Sequence, residues 1–135
     1  MRILIVDNNK DIAEIIQEIV TAKFECQVDM VHSGRNALAK LGQRDYDVVV
    51  LDVMMPDLNG VEVCQKIVGD DRLSKVPVIL ISALPLSSVI NSQEEIKRLG
   101  IVKSVLEKPF DYDELLVKIR EVAGGDSKVT DKNRT

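Results

Sequence analysis

The chain has 135 residues, of which 45% are hydrophobic and 30% charged, and a formal net charge of −4 at pH 7. This length fits one domain with a substantial core, and the composition is ordinary for a soluble globular protein. The acidic balance argues against direct nucleic-acid binding, which favours a basic face. No apolar run is long enough to span a bilayer or to act as an export signal. Two cysteines are too few for a disulfide scaffold, so we expect a cytoplasmic protein.

Five short apolar runs, each followed by a helix-like segment, organise the chain. The predicted strands are residues 3–6, 26–31, 48–52, 78–82 and 102–106. Alternation of strand and helix predicts parallel βαβ units, with right-handed crossovers and helices on both sides of the sheet. We therefore predict a doubly wound α/β fold with five parallel strands in the order 2-1-3-4-5, which is the flavodoxin-like arrangement.

Apolar periodicity and capping residues predict the helices. An apolar stripe marks the first helix, formed by Ile12, Ile15, Ile16 and Ile19. N-capping residues mark three others, namely Ser33 for the second, Asn59 with Glu62 for the third, and Asp111 with Glu114 for the last. The fourth helix has the weakest pattern and is predicted only at residues 93–99, ended by Gly100.

The polarity of the C-terminal segment sets the predicted domain boundary. Residues 1–123 are predicted to form the domain. Residues 124–135 are polar and begin with two glycines, which is typical of a mobile tail or the start of a linker.

Polar residues follow the first and third predicted strands at the point where each strand ends. Asp52 ends a run of apolar, mostly β-branched residues, and Asp7 and Asn8 come directly after the first strand. Strands 1 and 3 are neighbours in the predicted order, so these three side chains lie at one edge of the sheet. In open parallel sheets, ligands bind beyond the carboxyl ends of the strands. Asp52 is therefore the strongest candidate for the chemistry of the chain.

Further residues in register complete a known pattern. Ser82 ends the fourth predicted strand, Lys108-Pro109 follows the fifth, and residues 52–60 read Asp-Val-Met-Met-Pro-Asp-Leu-Asn-Gly. Over residues 1–123 the sequence thereby resembles a response-regulator receiver domain, the CheY-like phosphoacceptor module of two-component signal transduction. The resemblance implies the (βα)5 receiver fold.

The resemblance also implies the residues of a phosphorylation site. Asp52 would accept a phosphoryl group, with Mg²⁺ as the cofactor. The metal ligands would be Asp7, Asn8, Asp52 and the carbonyl oxygen of Met54. The phosphoryl-binding and switch residues would be Ser82, Ala83, Lys108 and Pro109, with a cis Lys-Pro bond that aims the lysine. The residue types suit this chemistry, because phosphoryl transfer needs an oxygen nucleophile and positive charge, and Mg²⁺ prefers oxygen ligands.

The partners follow from the same resemblance. A histidine kinase or phosphotransfer protein would donate the phosphoryl group, and a downstream protein or effector domain would receive the signal. The signal would pass through the surface formed by the fourth helix, the fifth strand and the fifth helix. The chain would be a signalling module and not an enzyme, and it would have no membrane segment. A homodimer is possible under this resemblance.

Two departures from the family pattern keep an alternative open. The family normally carries a second acid where this chain has Asn8, and many members have Tyr or Phe where this chain has Val105. Both favour a degenerate receiver that binds proteins without phosphorylation. A flavodoxin-like cofactor binder or phosphatase is the other alternative. Against it, the chain has no glycine-rich phosphate loop after the first strand, which a nucleotide or flavin binder would need. It also has no second acid two residues after Asp52, which a phosphatase would need. His32, the only histidine, is predicted to be a solvated surface residue.

Overall fold

Five parallel strands form a single sheet in the computed structural model, which describes residues 1–73, 75–83, 98–124 and 129–132. The strands are β1 (Arg2–Val6), β2 (Gln27–Val31), β3 (Val48–Asp52), β4 (Val78–Ser82) and β5 (Val102–Glu107). Their order is β2-β1-β3-β4-β5, and every pair is parallel. The predicted fold class and strand order are confirmed.

Helices connect the strands. Among the described residues, α1 (Lys10–Lys23) follows β1, α2 (Gly34–Gln43) follows β2 and α3 (Gly60–Gly69) follows β3. The helix predicted last in the chain, α4 (Tyr112–Val122), follows β5. Most of the predicted helix at 93–99 lies outside the described residues, but Arg98 and Leu99 are helical. Gly100 has a φ of 74°, the left-handed backbone expected of a glycine that ends a helix. Within the described part of the chain, no helix combines the length and apolarity needed to cross a membrane.

The sheet separates two apolar layers. Every residue of β3 and β4 is buried, as expected for central strands covered on both faces. On one face, α2 and α3 pack against side chains that include Leu4, Leu51 and Leu80. On the other face, α1 and α4 pack against side chains that include Ile5, Ile79 and Ile81. Since both faces are filled, the edge at the carboxyl ends of the strands is where polar side chains can collect.

The predicted N-caps are present, with one change in detail. Ser33 accepts a hydrogen bond from the amide of Asn36, and Asn59 and Glu62 form the full capping box of α3. Asp111 caps α4 but accepts from the amide of Asp113, not from that of Glu114. These caps satisfy amides that the helices leave unpaired at their first turns, and so fix where each helix begins.

The buried face of α1 differs from the predicted isoleucine stripe. Ala13, Ile16 and Val20 are buried, whereas the Ile15 residue is 42% exposed. The set 13, 16 and 20 also has helical spacing, so periodicity alone did not choose between the two stripes. Ala13, Ile16 and Val20 lie in the apolar layer that includes Ile5, so packing against the sheet selects the observed face.

Part of the C-terminal segment packs on the domain, in contrast to the free polar tail predicted for residues 124–135. Val129 is only 2% exposed and lies in the same apolar layer as Phe24. The amide of Glu25 donates to the carbonyl oxygen of Thr130 at 2.7 Å. The burial of Val129 and the hydrogen bond from Glu25 therefore hold part of a segment that was predicted to be mobile from its polarity alone.

Candidate functional site

Two buried carboxylates lie side by side at the carboxyl edge of the sheet. Asp7 follows β1 and is 2% exposed, and Asp52 ends β3 and is 4% exposed. The strands are in register, with Val6 opposite Leu51, so the two acids that follow these positions are neighbours. Acids are rarely this buried without a partner, because removing their charge from water is costly.

Lys108 supplies the partner from the other side of the site. Its Nζ atom lies 3.4 Å from Asp7 Oδ2 and 3.8 Å from Asp52 Oδ1, so one ammonium group bridges both carboxylates. The Lys108 amide donates to the carbonyl oxygen of Ser82 at 2.7 Å, which ties the residue to the end of β4. The peptide bond to Pro109 is cis, as the family resemblance implied.

The surroundings of Asp52 favour the protonated carboxyl group more than water does. Burial is the largest cause, followed by repulsion from Asp7, and together they raise the pKa of Asp52 to about 6. Lys108 and a hydrogen bond from the Met54 amide, at 3.3 Å, oppose this rise. The Asp52 group is therefore mostly ionised at neutral pH, yet its charge is poorly solvated.

The other predicted site residues lie at the same edge. Ser82 ends β4 and is completely buried, and Ala83 after it is exposed. Asn8 and Met54 are exposed beyond the ends of β1 and β3, and the Met54 residue is 49% exposed. The structure therefore brings all the predicted site residues to one edge of the sheet.

The carboxyl edge of the sheet is rich in oxygen atoms but carries few charged side chains. In the described ranges, no group of three or more His, Cys, Asp or Glu side chains is placed to hold a metal ion. Asp7 and Asp52 are the two carboxylates present, so further ligands would be the amide oxygen of Asn8 and the carbonyl oxygen of Met54. These are hard oxygen donors of the kind that Mg²⁺ prefers.

The structure adds residues that the sequence analysis missed. His32 was predicted to be a solvated surface residue. In the structure it is half-buried, and its Nδ1 lies 2.9 Å from the carbonyl oxygen of Asp7. Asp57 accepts hydrogen bonds from the amides of Gly34 and Arg35 at the start of α2. The available signal for His32 was its place directly after β2, beside the Asp7 position on the neighbouring strand.

Gly60 allows α3 to begin directly against β3. A Cβ atom at this position would lie 2.8 Å from the carbonyl oxygen of Asp52 and 3.0 Å from the Cα of Val53. The Gly60 amide donates to the carbonyl oxygen of Val53 at 2.9 Å. A side chain at residue 60 would therefore press directly on the backbone that carries Asp52.

The fold and this edge define a receiver-type α/β domain, and comparison with known proteins agrees. The family model described as "Response regulator receiver domain" matches residues 3–120. This chain belongs to that family, whose members are the receiver domains of two-component response regulators. The resemblance to response-regulator receiver domains that the sequence showed is confirmed.

Individual relatives support the same assignment. The response regulator ArlR of Staphylococcus aureus is 30% identical over 122 residues, which cover 90% of this chain and 52% of ArlR. The chain thus spans about half the length of the curated relatives that it matches. A Francisella response regulator receiver domain has 30% identity and a TM-score of 0.78, covering 90% of this chain and 95% of the other. TrrA of Thermotoga maritima, solved in complex with Mg²⁺ and beryllofluoride, has 27% identity and a TM-score of 0.71, covering 90% and 97%.

Proposed function

We propose that Asp52 accepts a phosphoryl group from a histidine kinase or phosphotransfer protein in a Mg²⁺-dependent reaction. The observation that carries the proposal is the Lys108 ammonium group between Asp7 and Asp52 at the carboxyl edge of the sheet. This arrangement joins a nucleophilic oxygen, a second carboxylate and a fixed positive charge. These are the groups that phosphoryl transfer onto a carboxylate requires.

The transfer step uses the ionised form of Asp52. A carboxylate oxygen attacks the phosphorus of a phosphohistidine, the P–N bond breaks, and its electron pair stays on the imidazole nitrogen, which is protonated from solvent. The product is an acyl phosphate on Asp52. Because the pKa of Asp52 is raised only to about 6, most molecules hold the reactive carboxylate at neutral pH. Lys108 then exchanges its contact with Asp52 for contacts with the new phosphoryl oxygens.

The oxygen donors at the site fit a hard divalent cation. Asp7, Asn8, Asp52 and the carbonyl of Met54 would hold Mg²⁺, which would supply positive charge beside the transferring group. Relatives support this cofactor, since TrrA was solved with Mg²⁺ and beryllofluoride. The neutral amide of Asn8 leaves the site with one negative charge fewer than the family pattern, so we expect weaker metal binding than in typical members.

The signal would leave through the neighbouring strands. The hydroxyl of Ser82 would donate to the phosphoryl group, and the small Ala83 leaves room for that group. Ser82 pairs with Glu107 between β4 and β5. A shift at Ser82 would therefore move β5 and α4, the helix that follows it. A downstream protein or effector domain that binds this surface would sense the change as a shift in population.

Asn8 and Val105 favour a second candidate function, a receiver that binds its partner without being phosphorylated. Asn8 lowers the charge available for the metal. Val105, which is half-buried on β5, provides no aromatic ring to follow the movement of the Ser82 hydroxyl.

Acetyl phosphate separates the two candidates. The full chain is incubated with acetyl phosphate and Mg²⁺, and intact mass spectrometry reports the addition of one phosphoryl group. Asp52→Asn is the control and should gain none. If the parent protein gains no phosphoryl group and binds no beryllofluoride, the proposed phosphorylation is wrong. The receiver that binds its partner without phosphorylation then remains.

A further inference from the structure

Residues 32–35, called the β2–α2 turn below, comprise the turn after β2 and the first two residues of α2. This segment contacts both loops that carry the proposed metal ligands. The loop after β1 carries Asp7 and Asn8, and the loop after β3 carries Met54. None of the proposed metal ligands lies in this turn. Its contacts with the two loops are nevertheless specific and of three kinds.

The first contact holds the loop after β1. Nδ1 of His32 lies 2.9 Å from the carbonyl oxygen of Asp7. A carbonyl oxygen can only accept a hydrogen bond, so Nδ1 carries the hydrogen and donates it. The amide of Asp7 donates to the carbonyl oxygen of Val31 at 3.2 Å. Both backbone polar groups of Asp7 are therefore bound to the end of β2 and the residue that follows it.

The second contact holds the loop after β3. The two carboxylate oxygens of Asp57 accept from the amides of Gly34 and Arg35, at 3.1 and 3.0 Å. These hydrogen bonds lower the pKa of Asp57 to about 2, so the group is a carboxylate at neutral pH. A negative charge is also favourable at the N-terminus of α2, where the amides point outward.

The third contact is close packing at Gly34. A Cβ atom there would lie 2.8 Å from the Cβ of Leu58 and 2.9 Å from Cγ2 of Val63. It would also lie 3.2 Å from the carbonyl oxygen of Leu58. The start of α2 and the loop after β3 are therefore already in contact without a side chain between them. The separation of these elements is fixed by sterics as well as by the Asp57 hydrogen bonds.

We propose that the β2–α2 turn is a brace for the acceptor site, in which His32 and Asp57 are positioning residues that fix the loop after β1 relative to the loop after β3. The inference rests on the proposed phosphoacceptor function, because it explains how the metal ligands are kept in register. Residues that orient metal ligands commonly change metal affinity by about 10–100-fold when they are replaced. With Asn8 in place of an acid, the placement of the remaining oxygen atoms carries more of the affinity.

The test uses variants of the full 135-residue chain. His32→Ala and Asp57→Ala each remove one arm of the brace. Asp70→Ala is the matched control, because Asp70 also accepts from a backbone amide, that of Arg72 at 2.9 Å, but lies at the far end of α3. His32→Asn is the rescue variant, since its side-chain NH₂ can occupy the place of the imidazole Nδ1–H.

Two measurements are made on each variant. The first is hydrogen exchange of the Asn9 and Met54 amides without metal, because these amides donate to the carboxylates of Asp7 and Asp52. The second is the Kd of Mg²⁺, followed by NMR titration. Both alanine variants should exchange these amides about tenfold faster. They should also bind Mg²⁺ about tenfold more weakly.

The control and the rescue variant sharpen the expected result. Asp70→Ala should change neither quantity, and amides of the central strands should exchange at the parent rate in every variant. His32→Asn should restore most of what His32→Ala loses. A merely structural role for His32 and Asp57 would instead raise exchange throughout the domain.

The outcomes separate the brace from the proposed function. Exchange and Mg²⁺ affinity equal to those of Asp70→Ala would overturn the brace, and so would an effect confined to one of the two alanine variants. A parent protein that binds no Mg²⁺ would overturn the metal-dependent function, while the exchange of the Asn9 and Met54 amides would still decide the brace.

Discussion

The Asp52 carboxylate is held where its charge is poorly solvated, which lowers the stability of the folded protein. It is 4% exposed and next to Asp7, and its pKa is raised to about 6. In the unfolded chain the same group titrates near 3.8. Between these two values the unfolded state loses its proton while the folded state keeps it, so stability falls as the pH rises through this window.

Asp52→Asn should therefore stabilise the metal-free protein at neutral pH. A pKa difference of this size corresponds to at most about 3 kcal/mol in the free energy of unfolding above pH 6. The gain should shrink as the pH falls from 6 and disappear well below 3.8, where the carboxyl group is protonated in both states. Urea unfolding in EDTA at several pH values measures it. A gain that stays constant with pH would contradict this origin.

Asn8→Asp should strengthen Mg²⁺ binding. Two unit charges about 4 Å apart attract by roughly 1 kcal/mol even in bulk water, and a divalent ion doubles this. We therefore expect the Kd to fall by about tenfold or more. Asn9→Asp is the matched control, because Asn9 caps α1 through the amides of Asp11 and Ile12 and an aspartate can keep that role. If both variants lower the Kd equally, the gain comes from the added negative charge in general and not from a ligand at residue 8.

At the scale of elements, two glycines of α3 give a matched pair with opposite expected signs. Gly60→Ala places a Cβ 2.8 Å from the carbonyl oxygen of Asp52 and should cost about 1–3 kcal/mol through strain. Gly69→Ala meets nothing within 4 Å and should stabilise the helix by up to about 1 kcal/mol. Thermal or urea unfolding of both variants measures the difference. A neutral Gly60→Ala would show that the start of α3 is free to move away from β3.

At the scale of the whole molecule, the folded unit extends beyond the last helix. Arg120 lies over the ring of Phe24, with its guanidinium carbon 5.4 Å from the centroid, and forms an ion pair with Asp131. Lys23 also pairs with Asp131, at 3.6 Å. Together with the burial of Val129, these contacts attach residues after α4 to the end of α1, at the edge of the sheet opposite the acceptor site.

Truncation after Gly124 should destabilise the protein by about 1–2 kcal/mol. Burial of a valine side chain contributes about 1.5–3 kcal/mol and each backbone hydrogen bond about 1 kcal/mol, while ordering the segment opposes them. The control is a chain that ends at Lys132, which keeps every one of these contacts. Urea unfolding of both truncated chains decides, and equal stabilities would show that residues 129–132 contribute nothing.

The sequence by itself determined the architecture, because its signals are local and repeat along the chain. The apolar run before Asp52 predicted a strand buried on both faces, and alternation with helices predicted the sheet order. Strand order then predicted that Asp7 and Asp52 would lie together. Among the caps, Ser33 and the Asn59–Glu62 box were predicted correctly because they depend only on residues close in sequence.

Only the tertiary structure decided the features that depend on distant parts of the chain. These are the buried face of α1, the packing of Val129, the bridge that Lys108 makes between two carboxylates, and the contacts of His32 and Asp57. Each joins residues well separated along the chain or chooses between equally periodic stripes, so no local pattern encodes it. The sequence thus specified which side chains meet at the carboxyl edge of the sheet, and three-dimensional packing specified how they are held there.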